Sequence, residues 1–197
     1  LVSFAQIVVT KLRRSFEAAH PAVKLSQSEL TQSEIFTALR QGDIDLAISY
    51  AIDLPKDLEF QAIKSLPPFV MLAPDHPLAN NKILTVEQLT GHAMVLLDLP
   101  LSSDYFLSFF SRTGPRPIIA ERTKDLAVAR SLVANGFGYS VINYRPIGTH
   151  APDGKPLIFV PLESEVPPLP VGLLSLKGLT TRRIYSAFLD LCREEMK

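Results

Sequence analysis

Residues 31–50, TQSEIFTALRQGDIDLAISY, hold the fold in miniature. Thr31 and Glu34 have the spacing of a capping box, in which each side chain satisfies an unpaired backbone amide at a helix start. Ile35, Phe36 and Leu39 supply the apolar stripe of the helix, and Gly42 marks its end, because glycine takes the left-handed turn that closes a helix without steric cost. Leu46–Tyr50 is then a short apolar run, as expected of a strand buried on both faces. A capped helix feeding a buried strand is the grammar of an α/β lobe, here expected on a largely parallel sheet.

The same grammar extends outward. Upstream, Phe4, Val8, Leu12 and Phe16 recur every four residues and predict a helix over Ser3 to Ala19, with Ser3 as N-cap and Gln6 completing its box. Pro21 ends it, and Val23 to Ser28 alternates apolar and polar residues as a half-buried strand does. Downstream, Leu58–Leu66 and Phe69–Ala73 read as extended runs separated by Pro67-Pro68, a place for the chain to leave one lobe and begin another. Thr85-Val86-Glu87-Gln88 is a further capping box. Strands follow at Ala93–Leu97, Ile118–Arg122 and Gly138–Asn143. Helices are expected from Ser102 or Ser103 to about Arg112 and over Lys124–Asn135, the latter stopped by Gly136. Strands near Leu157–Pro161 and Val171–Leu176 precede a last helix, Thr181–Met196, whose apolar face carries Ile184, Ala187, Phe188, Leu191 and Cys192.

The composition excludes several classes of function. With 197 residues and 47% hydrophobic content the chain can bury a core, so disorder is excluded. Twenty Lys and Arg balance 20 Asp and Glu, which leaves no global cationic excess for phosphate contacts. The pairs Arg13-Arg14 and Arg182-Arg183 read as solvated helix faces. A lone Cys192 forms no internal disulfide and reads as a small buried hydrophobe. His20, His76, His92 and His150 are scattered, so neither a metal nor another cofactor is expected. No apolar run approaches the roughly 18 residues of a membrane helix, and no leader pattern stands at the start; a cytoplasmic protein is expected, without membrane contact.

No catalytic constellation stands out either, so the chain reads as a non-enzyme. Gly136-Phe137-Gly138 follows a helix, the wrong order for a dinucleotide fingerprint. Ser102 and Ser103 lie outside any Gly-x-Ser-x-Gly elbow. What recurs is a hydroxyl at the start of a helix that follows a strand: Ser3, Thr31, Ser102 or Ser103, and Thr123. Each is foremost a cap, yet helix starts at the carboxyl ends of parallel strands also suit an anion. Tyr105, Phe106 and Phe137 are aromatics near these positions, and Arg122 and Arg145 are cations that would pair with an anion within reach.

Several segments, in order, resemble the effector-binding domain of LysR-type transcriptional regulators: Leu12-Arg13-Arg14-Ser15-Phe16-Glu17-Ala18-Ala19-His20-Pro21, Leu39-Arg40-Gln41-Gly42-Asp43-Ile44-Asp45-Leu46-Ala47-Ile48, Asp75-His76-Pro77-Leu78-Ala79 and Leu132-Val133-Ala134-Asn135-Gly136-Phe137-Gly138-Tyr139. The resemblance implies a type-2 periplasmic-binding-protein-like fold: two Rossmann-like α/β lobes joined by two crossover strands, with lobe I over 1–66 and 146–197 and lobe II over 67–145. It implies a small effector in the cleft between lobes, with contacts at Ser3, Thr31, Gln32, Leu99, Pro100, Ser102, Ser103, Thr123 and Phe137; with the helix starts, an organic anion is the expected class. It also implies a homodimer. The family's helix-turn-helix has no counterpart in residues 1–197, so DNA contact is expected only of a longer parent protein. The strand the family places before the first helix needs more than Leu1-Val2, which leaves the arrangement at Ser3 open. A rival of the same fold is a solute-binding protein of a transport system.

Overall fold

The computed structural model describes residues 8–100, 102–111, 116–163, 165, 167–178 and 183–196, with only the backbone of Ser102. The chain divides into two compact units, 1–65 with 169–197 and 66–168. It therefore passes between them at Ser65–Leu66 and again at Pro168–Leu169, the first crossing lying beside the predicted Pro67-Pro68 break.

In the first unit, helix α1 (Thr10–Ala19) buries Leu12 and Phe16. The predicted start at Ser3 lies outside the described residues. Phe16 meets Phe188 edge-to-face at 5.1 Å, which seats α1 on the C-terminal helix α6 (Arg183–Glu195). The buried face of α6 is Tyr185, Phe188, Leu189 and Cys192, whereas Ile184, predicted to be inward, is 44% exposed. The stripe is rotated by one residue because Tyr185 brings a larger apolar body than Ile184 at the same helical spacing.

Helix α2 (Gln32–Gln41) forms as the sequence dictates, with Thr31 as N-cap and Gly42 at φ +75° as C-cap. Ile35 and Leu39 pack on Ala47, Leu58 and Leu174. Strand β1 (Ala47–Tyr50) is buried at all four positions. Its partner is β9 (Leu169–Leu176), which lies between β1 and β2 (Leu58–Leu66) in the sheet. The β1–β9 ladder is antiparallel, from Ala47 opposite Leu174 to Tyr50 opposite Val171. The expectation of a largely parallel sheet is corrected here, since the neighbour of β1 comes from the far end of the chain and local helix–strand order carries no information about it. The segment 23–28 also departs from expectation. Its apolar positions are the more buried ones, as alternation predicts, but no strand is assigned there. A cavity of about 260 Å³ is lined by residues 24–28 and 43–48 together with Val9, Arg13, Leu30, Ile35 and Phe188.

In the second unit, β3 (Phe69–Leu72) is central to a four-stranded sheet in the order β4 (Leu84–Thr85), β8 (Ile158–Glu163), β3, β7 (Ser140–Ile142). Helix α3 (Val86–Leu89) follows β4 directly, with the Thr85 amide donating to Gln88 Oε1 at 2.9 Å. Strands β5 (Ala93–Leu97) and β6 (Ile118–Thr123) form a parallel pair. Val70, Leu72, Met94 and Leu96 face one core cluster with Phe106, Phe109 and Phe110 of α4 (Ser102–Ser111). Met71, Val95 and Leu97 face the other with Ala129 and Val133 of α5 (Leu126–Ala134). Alternate residues of one strand thus serve both faces, the condition that makes such strands continuously apolar. The antiparallel β3–β8 ladder, Phe69 opposite Pro161 to Leu72 opposite Ile158, places 146–168 in the second unit. Those residues were expected in lobe I. A strand bonded to β3 over four residues puts them on this side instead of where the resemblance implied.

Candidate functional site

In the first unit the predicted residues gather where β1 ends and α2 begins. Thr31 and Glu34 close the capping box: the Thr31 amide and hydroxyl both donate to Glu34 Oε2 at 2.7 Å, and the Glu34 amide donates to Thr31 Oγ1 at 3.4 Å. These bonds hold the Glu34 carboxyl below its usual range. The start of α2 therefore already carries an anion, its own glutamate, in the place where a helix start favours negative charge. Gln32 is buried, and its Nε2 donates to the carbonyls of Ile52 at 2.7 Å and Tyr50 at 3.4 Å. It ties the first turn of α2 to the end of β1. Asp53, immediately after, has φ +45°, a left-handed conformation that non-glycine residues seldom adopt.

In the second unit, Leu99, Pro100, Ser102 and Ser103 lie on the connection from β5 into α4. The Asp98 amide donates to the Thr123 carbonyl at 2.7 Å, which extends the parallel pairing of β5 and β6 by one residue past Leu97. Leu99 is half-buried against the cluster that contains Val95 and Leu97, Pro100 is exposed and Ser103 is half-buried. The Ser103 amide donates to the Leu99 carbonyl at 3.0 Å, so the helical turn begins at once. The start of α4 thus sits at the carboxyl ends of two parallel strands, the edge of an open α/β sheet at which ligands bind. Beside it Arg122 Nη1 approaches Asp98 Oδ2 at 3.1 Å, with both side chains partly exposed. Arg145 is exposed.

Two sequence expectations shift. Thr123 does not cap α5: its Oγ1 accepts the Asp125 amide at 3.1 Å, while Asp125 Oδ1 accepts the amides of Ala127 at 2.6 Å and Val128 at 3.3 Å. A carboxylate is the stronger acceptor at a helix start and displaces the hydroxyl from the role. Phe137 is 50% exposed but lies elsewhere. Tyr139 bridges Met94 and its amide donates to the Ala93 carbonyl at 2.9 Å, so Phe137 lies toward the amino end of β5, opposite the Leu99 turn. Ser3 lies outside the described residues, as does the side chain of Ser102.

Sequence reasoning passed over Asp98 and Asn143. Asn143 is buried at the end of β7, where its Nδ2 donates to the Leu66 carbonyl at 3.1 Å and the Tyr105 hydroxyl at 3.3 Å. Only the position of Asn143 just after an apolar run hinted at it. The aromatics Tyr105 and Phe106 serve the core first. Phe106 is buried, and Tyr105 packs edge-on against Phe109 at 5.0 Å.

Other chemistry finds little footing. Among the described residues no group of three or more His, Cys, Asp or Glu could hold a metal, and no helix is long and apolar enough to cross a membrane. His76 and His92 face each other with ring centroids 5.0 Å apart, and burial lowers the His76 pKa, but His76 Nδ1 accepts the Leu78 amide and closes a turn. Cys192 is fully buried, and burial pushes its thiol up to about 12.

The family model described as the LysR substrate binding domain matches residues 1–197. The chain is 30% identical over 139 residues to the HTH-type transcriptional regulator CatR of Pseudomonas putida, a match covering 68% of this chain and 46% of CatR. The chain spans about half the length of the curated relatives it matches. Its fold is similar to HinK, a LysR family transcriptional regulator from Pseudomonas aeruginosa, with a TM-score of 0.92, 29% identity, and coverage of 98% of this chain and 67% of HinK. It is also similar in fold to the BenM effector binding domain, solved with its effector benzoate, with a TM-score of 0.81, 18% identity, and coverage of 98% and 87% of the two chains.

Proposed function

The chain belongs to the LysR substrate binding domain family, and on that premise we propose that it senses a small organic anion at the start of α4 and so adjusts DNA binding or transcription activation by the intact regulator. Its α/β fold is type-2 periplasmic-binding-protein-like. The observation that carries the ligand assignment is the first turn of α4 at the carboxyl ends of β5 and β6, with Arg122 alongside. Benzoate, the effector of the BenM domain, is an aromatic carboxylate, and the chemistry of a helix start suits that group.

In this reading Leu99, Pro100, Ser102 and Ser103 form the effector-contacting turn. Arg122 exchanges part of its contact with Asp98 for the ligand carboxylate, since a guanidinium has five donors and Asp98 is contacted through Nη1. Thr31 and Gln32 are the first unit's own candidate contacts, and the capping duties of Thr31 make it the weaker of the two. The effector acts by its differential affinity for two arrangements of the domain, because a ligand that binds both equally shifts nothing. No catalytic step is assigned: the residues of the turn are apolar groups, hydroxyls and amides. The working form is a homodimer within a cytoplasmic regulator, and sedimentation at rising protein concentration tests the dimer.

Calorimetry against a panel of carboxylates, with benzoate as the first probe, tests the ligand class. The expected result is binding by at least one carboxylate, weakened about tenfold by Arg122→Gln, the scale of a lost charge-assisted hydrogen bond. Binding of a neutral or cationic compound with no response to any carboxylate overturns it.

A further inference from the structure

Both crossings between the units are marked by proline pairs, Pro67-Pro68 at the first and Pro167-Pro168 at the second. Proline lacks the backbone N–H that would tie such a segment fully into a ladder; the Pro68 carbonyl accepts the Leu162 amide at 3.1 Å, and side chains add to the hold. Two do so through one hydrogen-bonded chain. Asn143 Nδ2 donates to the Leu66 carbonyl, at the first crossing, and to the Tyr105 hydroxyl. The Tyr105 hydroxyl donates in turn to the Pro167 carbonyl, at the second crossing, at 3.0 Å. Asn143 is 5% exposed, and its Oδ1 has no hydrogen-bond partner among the described residues. A buried acceptor left unpaired is costly, so these donor contacts are what the burial of Asn143 provides. Tyr105 stands one helical turn after Ser102, and its ring is fixed against Phe106 and Phe109. Tyr105, in the first turns of α4, therefore reaches the second crossing directly and the first through Asn143.

We propose that Tyr105 and Asn143 form a polar latch that fastens both inter-unit connections to the start of α4, so that a ligand at that helix start biases the arrangement of the two units through them. The link to a ligand rests on the function proposed above; the latch itself does not. Tyr105 and Asn143 are positioning residues in this scheme. The hydroxyl and the amide are the essential groups, and the tyrosine ring keeps its packing in a phenylalanine variant.

Spin labels at Lys56→Cys in one unit and Lys82→Cys in the other, both exposed positions, report the spread of inter-unit distances by pulsed electron resonance on the 197-residue chain. The native Cys192 is buried and does not compete for label. Tyr105→Phe and Asn143→Asp, which keep size and lose the hydroxyl or the amide donors, are expected to at least double the width of the ligand-free distance distribution. Tyr139→Phe, which removes a buried hydroxyl with no hydrogen-bond partner among the described residues, is expected to leave it unchanged. Equal widths in all four proteins, or equal broadening in Tyr139→Phe, overturn the latch. With benzoate as the probe, the parent distribution is expected to shift and that of Tyr105→Phe to shift less than half as far, with calorimetric affinity within threefold of the parent; equal shifts overturn the coupling. Absence of benzoate binding bears on the effector reading alone, because the ligand-free widths judge the latch independently.

Discussion

Arg40 and Asp57 face each other in a two-pronged ion pair, with Nε donating to Oδ2 at 2.7 Å and Nη2 to Oδ1 at 2.9 Å. It joins α2 to the start of β2 in the first unit. The guanidinium holds the Asp57 carboxyl at about 2, below the ordinary 3.8. A depressed carboxylate stabilises the fold above its unfolded pKa, and the contribution disappears as pH falls through the folded value. The pair is solvent-exposed, so its effect on stability is small, and the direct measurement is the titration itself. The Asp57 carboxyl resonance is expected to move near pH 2 in the parent and near pH 4 in Arg40→Gln. A midpoint near 4 in both proteins would refute the pairing.

Thr31 separates a structural hydroxyl from a ligand-binding one. As the N-cap of α2 it receives the Glu34 amide, and replacing such a cap by alanine costs about 1 kcal/mol. Urea unfolding of Thr31→Ala is expected to show that loss, and Thr31→Ser to recover most of it. Benzoate affinity in Thr31→Ser should remain within threefold of the parent. Full stability in Thr31→Ala would contradict the capping role.

What the sequence made legible was local. The box at Thr31 and Glu34, the Gly42 stop and the apolar run into Tyr50 each involve residues within one or two turns of one another, and each stands as read. Partner choice was not legible. β1 finds β9 across more than a hundred residues, and the sheet is antiparallel there because of where β9 re-enters the first unit, which no local pattern encodes. The segment 23–28 has the alternation of a strand without a ladder among the described residues. At the candidate site, the helix-start rule put a helix start at Ser102 after β5, where α4 begins, but it took Thr123 for a cap where Asp125 serves. Phe137, a contact implied by the resemblance, lies toward the amino end of β5, a placement that depends on the Tyr139 bridge to Met94 and that no local pattern shows.

Gly138 is required by the same bridge. Its φ of +141° is one that side chains rarely adopt, and a Cβ built there would stand 2.2 Å from the Ala93 carbonyl oxygen, a backbone atom that cannot swing away. That carbonyl accepts the Tyr139 amide, and the Tyr139 carbonyl accepts the Val95 amide at 2.7 Å. Gly138→Ala should therefore pull β7 from β5 and cost roughly 2 kcal/mol or more, as backbone-incompatible substitutions do. Gly148→Ala, at a site with open space around it, is the matched control. Equal melting temperatures for the two variants would refute the close approach.

Cys192 offers a test of the core of the first unit that needs no mutation. Its thiol is fully buried on the inner face of α6, and desolvation pushes it up to about 12 from 9.0. The thiolate is the reactive species, so an aromatic disulfide reagent at pH 8 should label the native chain only through opening of α6, and labelling should accelerate by orders of magnitude in urea. The same shift fixes a direction for stability. Above pH 9 the unfolded chain sheds the thiol proton while the folded chain keeps it, so unfolding gains ground as pH rises from 9 toward 12. Cys192→Ala removes the thiol's share of this dependence and leaves that of the buried tyrosines, at the cost of a small cavity on the inner face of α6. If the parent and Cys192→Ala lose stability identically over that range, or if the native thiol reacts as fast as a free one, α6 does not pack as described.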